Sequence, residues 1–161
     1  MNRDAMRLTV YRASHPVPAL SAGPSDETVR EFALTVNGLL LEAVTGASAR
    51  PMYTGEPVPG KASSELLTAR ITSTAPGDDG TRRVTVATSH KVVRSAGLPE
   101  HYANLRLRDA VAQLDGQMAD GVGRVVAAEP VSIDMADPAH PDAARVPWTV
   151  TATFVLAYRL G

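Results

Sequence analysis

The sequence predicts an α+β fold: an antiparallel β-sheet of four to five strands with two α-helices packed on one face. Three observations point there. The chain closes on a long alternating segment, Trp148 to Leu160, with Val150, Ala152, Phe154, Leu156, Tyr158 and Leu160 on one side. Thr149, Thr151, Thr153 and Arg159 fall on the other, the mark of a half-buried strand. Two other segments carry apolar residues at three- and four-residue spacing, as amphipathic helices do. Strands come in hairpin-linked runs interrupted by single helices, not in the strict strand–helix alternation of a doubly wound sheet.

A chain of 161 residues suits one domain. Residues 1–25 read as an extended N-terminal arm and 26–161 as the single α+β domain. Hydrophobic residues make up 44% and aromatics only 4%, so Val, Leu, Ala and Thr must fill the core. A net charge of −1 argues against a general nucleic-acid footprint, which needs a concentrated basic surface. Without cysteine, neither a disulfide frame nor a thiolate metal site can form. No basic-then-apolar leader and no apolar run near the ~20 residues of a membrane span is present, so a soluble intracellular chain is expected.

The first element is a short strand with Met6, Leu8 and Val10 alternating, followed by an extended run with Pro16, Pro18 and Pro24. Ser25 or Asp26 caps the first helix, whose stripe is Val29, Phe32, Ala33, Val36, Leu40, Ala43 and Val44. Leu39 and Leu41 widen that stripe, and Gly46 stops the helix. Asn37-Gly38 weakens it internally, the Gly by about 1 kcal/mol, so packing must hold the helix. Residues 47–64, rich in Pro and Gly, form a long loop with a short edge strand near Met52.

A hairpin follows. Leu67, Ala69 and Ile71 face inward, the reversal falls at Pro76 to Gly80, and Val84, Val86, Thr88, His90 and Val92 face inward on the return. The outward face of that return is polar, so one side of the sheet meets water or another subunit. Pro99 and Glu100 open the second helix, whose Leu107, Val111, Leu114 and Met118 stack before Gly121 ends it. Arg106, Arg108, Asp109, Asp115 and Gln117 cover its exposed side. A strand from Val125 to Met135 has Val131, Ile133 and Met135 on one face, with Pro130 marking an edge or a bulge. Residues 136–147 form a polar excursion before the terminal strand.

Catalytic signatures are absent. His15, His90, His101 and His140 are scattered, and His90 lies on the apolar side of its strand, where a satisfied core histidine is expected rather than a ligand. Asp137, His140 and Asp142 lack metal-ligand spacing and read as a solvated loop. No Ser or Thr sits in a strand-to-helix elbow, and Gly77 to Gly80 is a hairpin turn, not a phosphate cradle. No catalytic residue, cofactor or metal is therefore expected.

The layout from Leu66 to Gly161 resembles the tail-terminator proteins of long-tailed phages, the lambda gpU-like family. Thr81-Arg-Arg-Val-Thr-Val-Ala-Thr88, leading into Leu98-Pro-Glu-His-Tyr-Ala-Asn-Leu105, carries the likeness, and Trp148-Thr-Val-Thr-Ala-Thr-Phe-Val-Leu-Ala-Tyr158 completes it. The arm before the first helix and the long loop at 47–64 depart from the family. The resemblance implies a homo-oligomer, a hexameric ring in the virion tail or neck. Such a ring binds the last ring of the tail tube protein, ends its growth and docks the head-connector protein. DNA would pass through the lumen without specific binding, and no membrane is involved. Candidate contacts between subunits or rings are Met52 and Tyr53, the hairpin tip with Asp78 and Asp79, and the later loop with Asp137, His140, Asp142 and Arg145. A head–tail joining or tail-completion protein is the nearest alternative. A reading from another class is a small-ligand-binding domain or enzyme, its pocket lined by Val84, Val86, His90, Phe154 and Tyr158, with His90 and Tyr158 as its polar pair.

Overall fold

The computed structural model describes residues 10–11, 19–20, 23–45, 62–94, 100–134 and 147–160. In chain order the elements are β1 (Val10–Tyr11), β2 (Ala19–Leu20), α1 (Asp26–Val44), β3 (Ser63–Pro76) and β4 (Thr81–Val93). Then come α2 (Glu100–Ala112), β5 (Met118–Ala119), β6 (Gly123–Asp134) and β7 (Trp148–Leu160). The terminal strand lies inside the sheet, which runs β1-β5-β6-β7-β4-β3. The long strands β3, β4, β7 and β6 alternate in direction throughout. The two-residue β2 pairs in parallel with the end of β7 at Arg159 and Leu160. The α+β architecture is as expected, with both helices on one face.

Burial follows the alternation. Val84, Val86, Thr88, His90 and Val92 of β4 are buried, as are Trp148, Val150, Ala152, Phe154, Leu156 and Tyr158 of β7. The α1 stripe closes over them. Phe32 meets Phe154 edge to face, with ring centroids 5.2 Å apart at 87°, a geometry that aligns ring edge with ring face. Each such fully buried apolar side chain contributes about 1.5–3 kcal/mol. Ser25 caps α1, its hydroxyl accepting from the Thr28 N–H at 3.2 Å, and Asp26 and Glu27 stand at the positive end of the helix. Leu39 and Leu41 are half-buried, widening the stripe as expected. Thr45 is the C-terminal cap, while Gly46 and the loop at Met52 lie outside the described residues.

Three expectations need correction. The second helix does not continue to Met118: α2 ends at Ala112, and Gly116 turns the chain at φ 77°. The apolar spacing does persist, but β6 captures the backbone, since Gly116 N–H donates to Val125 O and Val125 N–H to Gln117 O. Met118 is buried as a strand residue instead. Arg106 is not part of the solvated face, because its Nε donates to Ala43 O at 3.2 Å and ties α2 to the last turn of α1. The inward faces of β3 and β6 are also shifted. A register break between Leu66 and Thr68 leaves Leu67 46% exposed, and one between Pro130 and Ser132 leaves Val131 64% exposed. Leu160, past the last buried turn of β7, is likewise exposed.

Gly123 starts β6 at φ 117°, and a Cβ there would run into the carbonyl oxygen of Ala157. That clash is with backbone, so no side chain can yield. Gly123→Ala is expected to destabilise the fold by about 2–4 kcal/mol, read as a lower urea midpoint, because the conformation and the space are both wrong for a side chain.

Candidate functional site

The densest polar chemistry among the described residues is buried between α1, β3 and β4. His90, Asn37 and Thr88 are almost wholly excluded from solvent. Asn37 Oδ1 lies 3.0 Å from His90 Nδ1 and accepts from the Ser64 hydroxyl at 2.6 Å, while Asn37 Nδ2 donates to Ser64 O at 2.7 Å. An amide oxygen only accepts, so Nδ1 carries the proton of the neutral imidazole. His90 Nε2 is then the acceptor for the Thr88 hydroxyl, 2.9 Å away. Every polar atom of the imidazole is thus engaged. Burial lowers the His90 pKa from 6.5 to about 4, keeping the ring neutral.

An imidazole engaged at both nitrogens and shut off from solvent binds helix to sheet. The residues expected to line a ligand pocket, Val84, Val86, His90 and Phe154, are the filled core itself, with Tyr158 beside them. Tyr158 and His90 therefore form no polar pair around a cavity. His90 and His101 do not meet either, since His101 is exposed on α2 and packs against the Tyr102 ring. A shallow depression on α2 is lined by Glu100, His101, Asn104, Leu105 and Arg108, and it opens broadly to solvent. Among the described residues no cluster of three His, Asp or Glu is placed to hold a metal ion. No described helix is long and apolar enough to cross a membrane.

Asp78 and Asp79 are exposed at the tip of the β3–β4 hairpin, as expected. Asp79 and Gly80 both take positive φ, 55° and 73°, as a primed turn requires, and Thr81 N–H donates to Asp78 O at 3.0 Å. The other candidate contacts, Met52, Tyr53, Asp137, His140, Asp142 and Arg145, lie outside the described residues.

The opposite face of the sheet is built differently. Thr68, Ser89, Thr151 and Ser132 stand in one row across β3, β4, β7 and β6. The next row is Arg70, Ala87, Thr153 and Glu129, and the one beyond is Ser73, Thr85, Val155 and Ala127. Both helices lie on the other side, so small and hydroxyl side chains carpet this face. Along most of their lengths the outer edges of β3 and β6 have no strand partner among the described residues. Sequence reading anticipated the polar face of β4 but missed Asn37, which entered only as a cost to the helix. Its signal was an amide inside an apolar stripe, in a chain with one histidine on an inward strand face.

Comparison with known protein families, with curated proteins and with solved structures finds no match for this chain.

The unfolded chain protonates His90 near pH 6.5 and the folded chain only near 4. Its contribution is therefore complete above pH 6.5 and is lost as pH falls toward 4, by about 3 kcal/mol in all. Urea unfolding at pH 7 and pH 4 should show a fall smaller by that amount in His90→Gln. Equal falls in the two proteins would remove His90 as the cause.

Proposed function

We propose that the chain is a structural subunit of a phage tail or neck, a tail terminator whose copies form a hexameric ring. The ring caps the tail tube, ends its polymerisation and docks the head connector. One observation supports this above others: among the described residues, helices cover the sheet on one side only, and its two outer long strands have no strand partner along most of their outer edges. Exposed edges invite strand pairing with another chain and are normally blunted or covered in proteins that stay alone. A single chain offering two different sticky surfaces assembles head to tail, and a head-to-tail contact closes into a ring when its rotation allows. The buried polar cluster fits the same reading, since it ties helix to sheet and serves the rigidity of the subunit. The ring's place is the virion, with DNA passing through the lumen unbound.

Sedimentation velocity and electron microscopy of the purified protein test this. Concentration-dependent rings of six copies, together with shortened tubes when the protein is added to polymerising tube protein, are the expected results. A chain that stays monomeric at every concentration and leaves tube length unchanged would sink the reading. Rings of twelve copies would assign the head–tail joining role instead.

A further inference from the structure

Resting on the ring reading above, we propose that each copy joins the outer edge of its β3 to the outer edge of β6 of the next copy, antiparallel and head to tail. The occupant of each edge is thus a second copy of this chain.

The two edges suit each other in direction and side chains. β3 has 14 residues; β6 has 12, and its free edge begins after Val125, whose N–H and carbonyl are already bonded to Gln117 and Gly116. Successive pairings β3–β4, β4–β7 and β7–β6 are all antiparallel, so three reversals separate the edges and they run in opposite directions. Copies related by rotation about an axis along the strands keep their direction and their inner face. The β3 of one then meets the β6 of the next antiparallel, and the alternation of the sheet continues across the joint.

Side chains agree with this pairing. Thr68 on β3 and Ser132 on β6 belong to one row of the sheet, and Leu67 and Val131, the bulged residues, flank that row. These two are exposed large hydrophobics on opposite edges of the sheet, Leu67 on the Ile133 side of the row and Val131 on the Pro130 side. In the next row Arg70 stands at the β3 edge and Glu129 at the β6 edge. An unstaggered joint therefore sets Thr68 against Ser132 of the next copy and Arg70 against Glu129. The like-charged match, Glu65 with Asp134, falls at the strand ends, where Lys91 is the neighbour of Glu65 on β4. Pro130 has no N–H to give and the bulges interrupt both edges, so side-chain complementarity fixes the register more than an unbroken ladder does. The same interruptions discourage indiscriminate pairing with other exposed strands.

The chain contains no cysteine, which makes cross-linking clean. Thr68 and Ser132 sit three inter-strand spacings apart within one copy, roughly 14 Å. A disulfide spans no more than about 7 Å between Cα atoms, so one between these positions must join two copies. The full-length double variant T68C/S132C, oxidised at assembly concentration, should run as a ladder of covalent oligomers on a non-reducing gel. Each single variant should stay uncrosslinked, and a mixture of the two singles should give dimers. Dimers from T68C alone would mean a two-fold β3–β3 contact and would overturn the proposal. Rings seen by electron microscopy without a ladder would also overturn it while leaving the ring reading intact. Monomers at every concentration, with no ladder, would end both. As a second measure, R70E and E129R should each raise the assembly midpoint concentration about tenfold, and R70E/E129R should restore it. Loss in the singles without recovery in the double would count against the pairing.

Discussion

Asn37 must meet His90, and that requirement fixes how α1 lies on the sheet. Shifting the helix by one residue would carry the amide off the imidazole and leave a buried ring N–H and a buried amide without partners. Each orphaned group costs about 1–3 kcal/mol, so only one register of helix on sheet satisfies the cluster. The Phe32–Phe154 contact supplies apolar area, but aromatic packing tolerates small slides that hydrogen bonds do not. Ser64 extends the same constraint to β3, bringing the first edge strand under the control of the helix.

The second helix is positioned through the first. Arg106 reaches the carbonyl of Ala43, and Ala103, Leu107, Ala110 and Val111 bury against the remaining inner surface toward β6. Small residues on α2 let it approach closely, which matters in a core with few aromatics. Burial on one side only is the consequence. The helices use up the inner face of the four long strands, and nothing described covers the outer one. Threonine, serine and alanine are suited to that position, since β-branched and small side chains pack against cross-strand neighbours and still accept water.

Much of the fold was legible in the chain. The inward residues of β4 and β7 were read from period-two alternation, the α1 stripe from its 3.6-residue period, and its start from Ser25. Where two periods overlap, the reading failed. Leu107, Val111, Leu114 and Met118 keep helical spacing past the end of α2, and only the pairing of β5 with β6 reveals that Met118 is in a strand. Bulges defeated the alternation in the same way, because one inserted residue at Leu67 or Val131 changes which side chains face the core, and insertion is decided by the partner strand.

The sequence by itself determined the class of fold, the two helical stripes, the central strands and the absence of thiol chemistry, because these follow from local periodicity and composition. Tertiary structure alone decided the partner of His90, the exposure of Leu67 and Val131, and the alignment of Arg70 with Glu129 at opposite edges. Those features join residues tens of positions apart. Which of them become neighbours depends on strand order and register, and no local pattern in the chain encodes either.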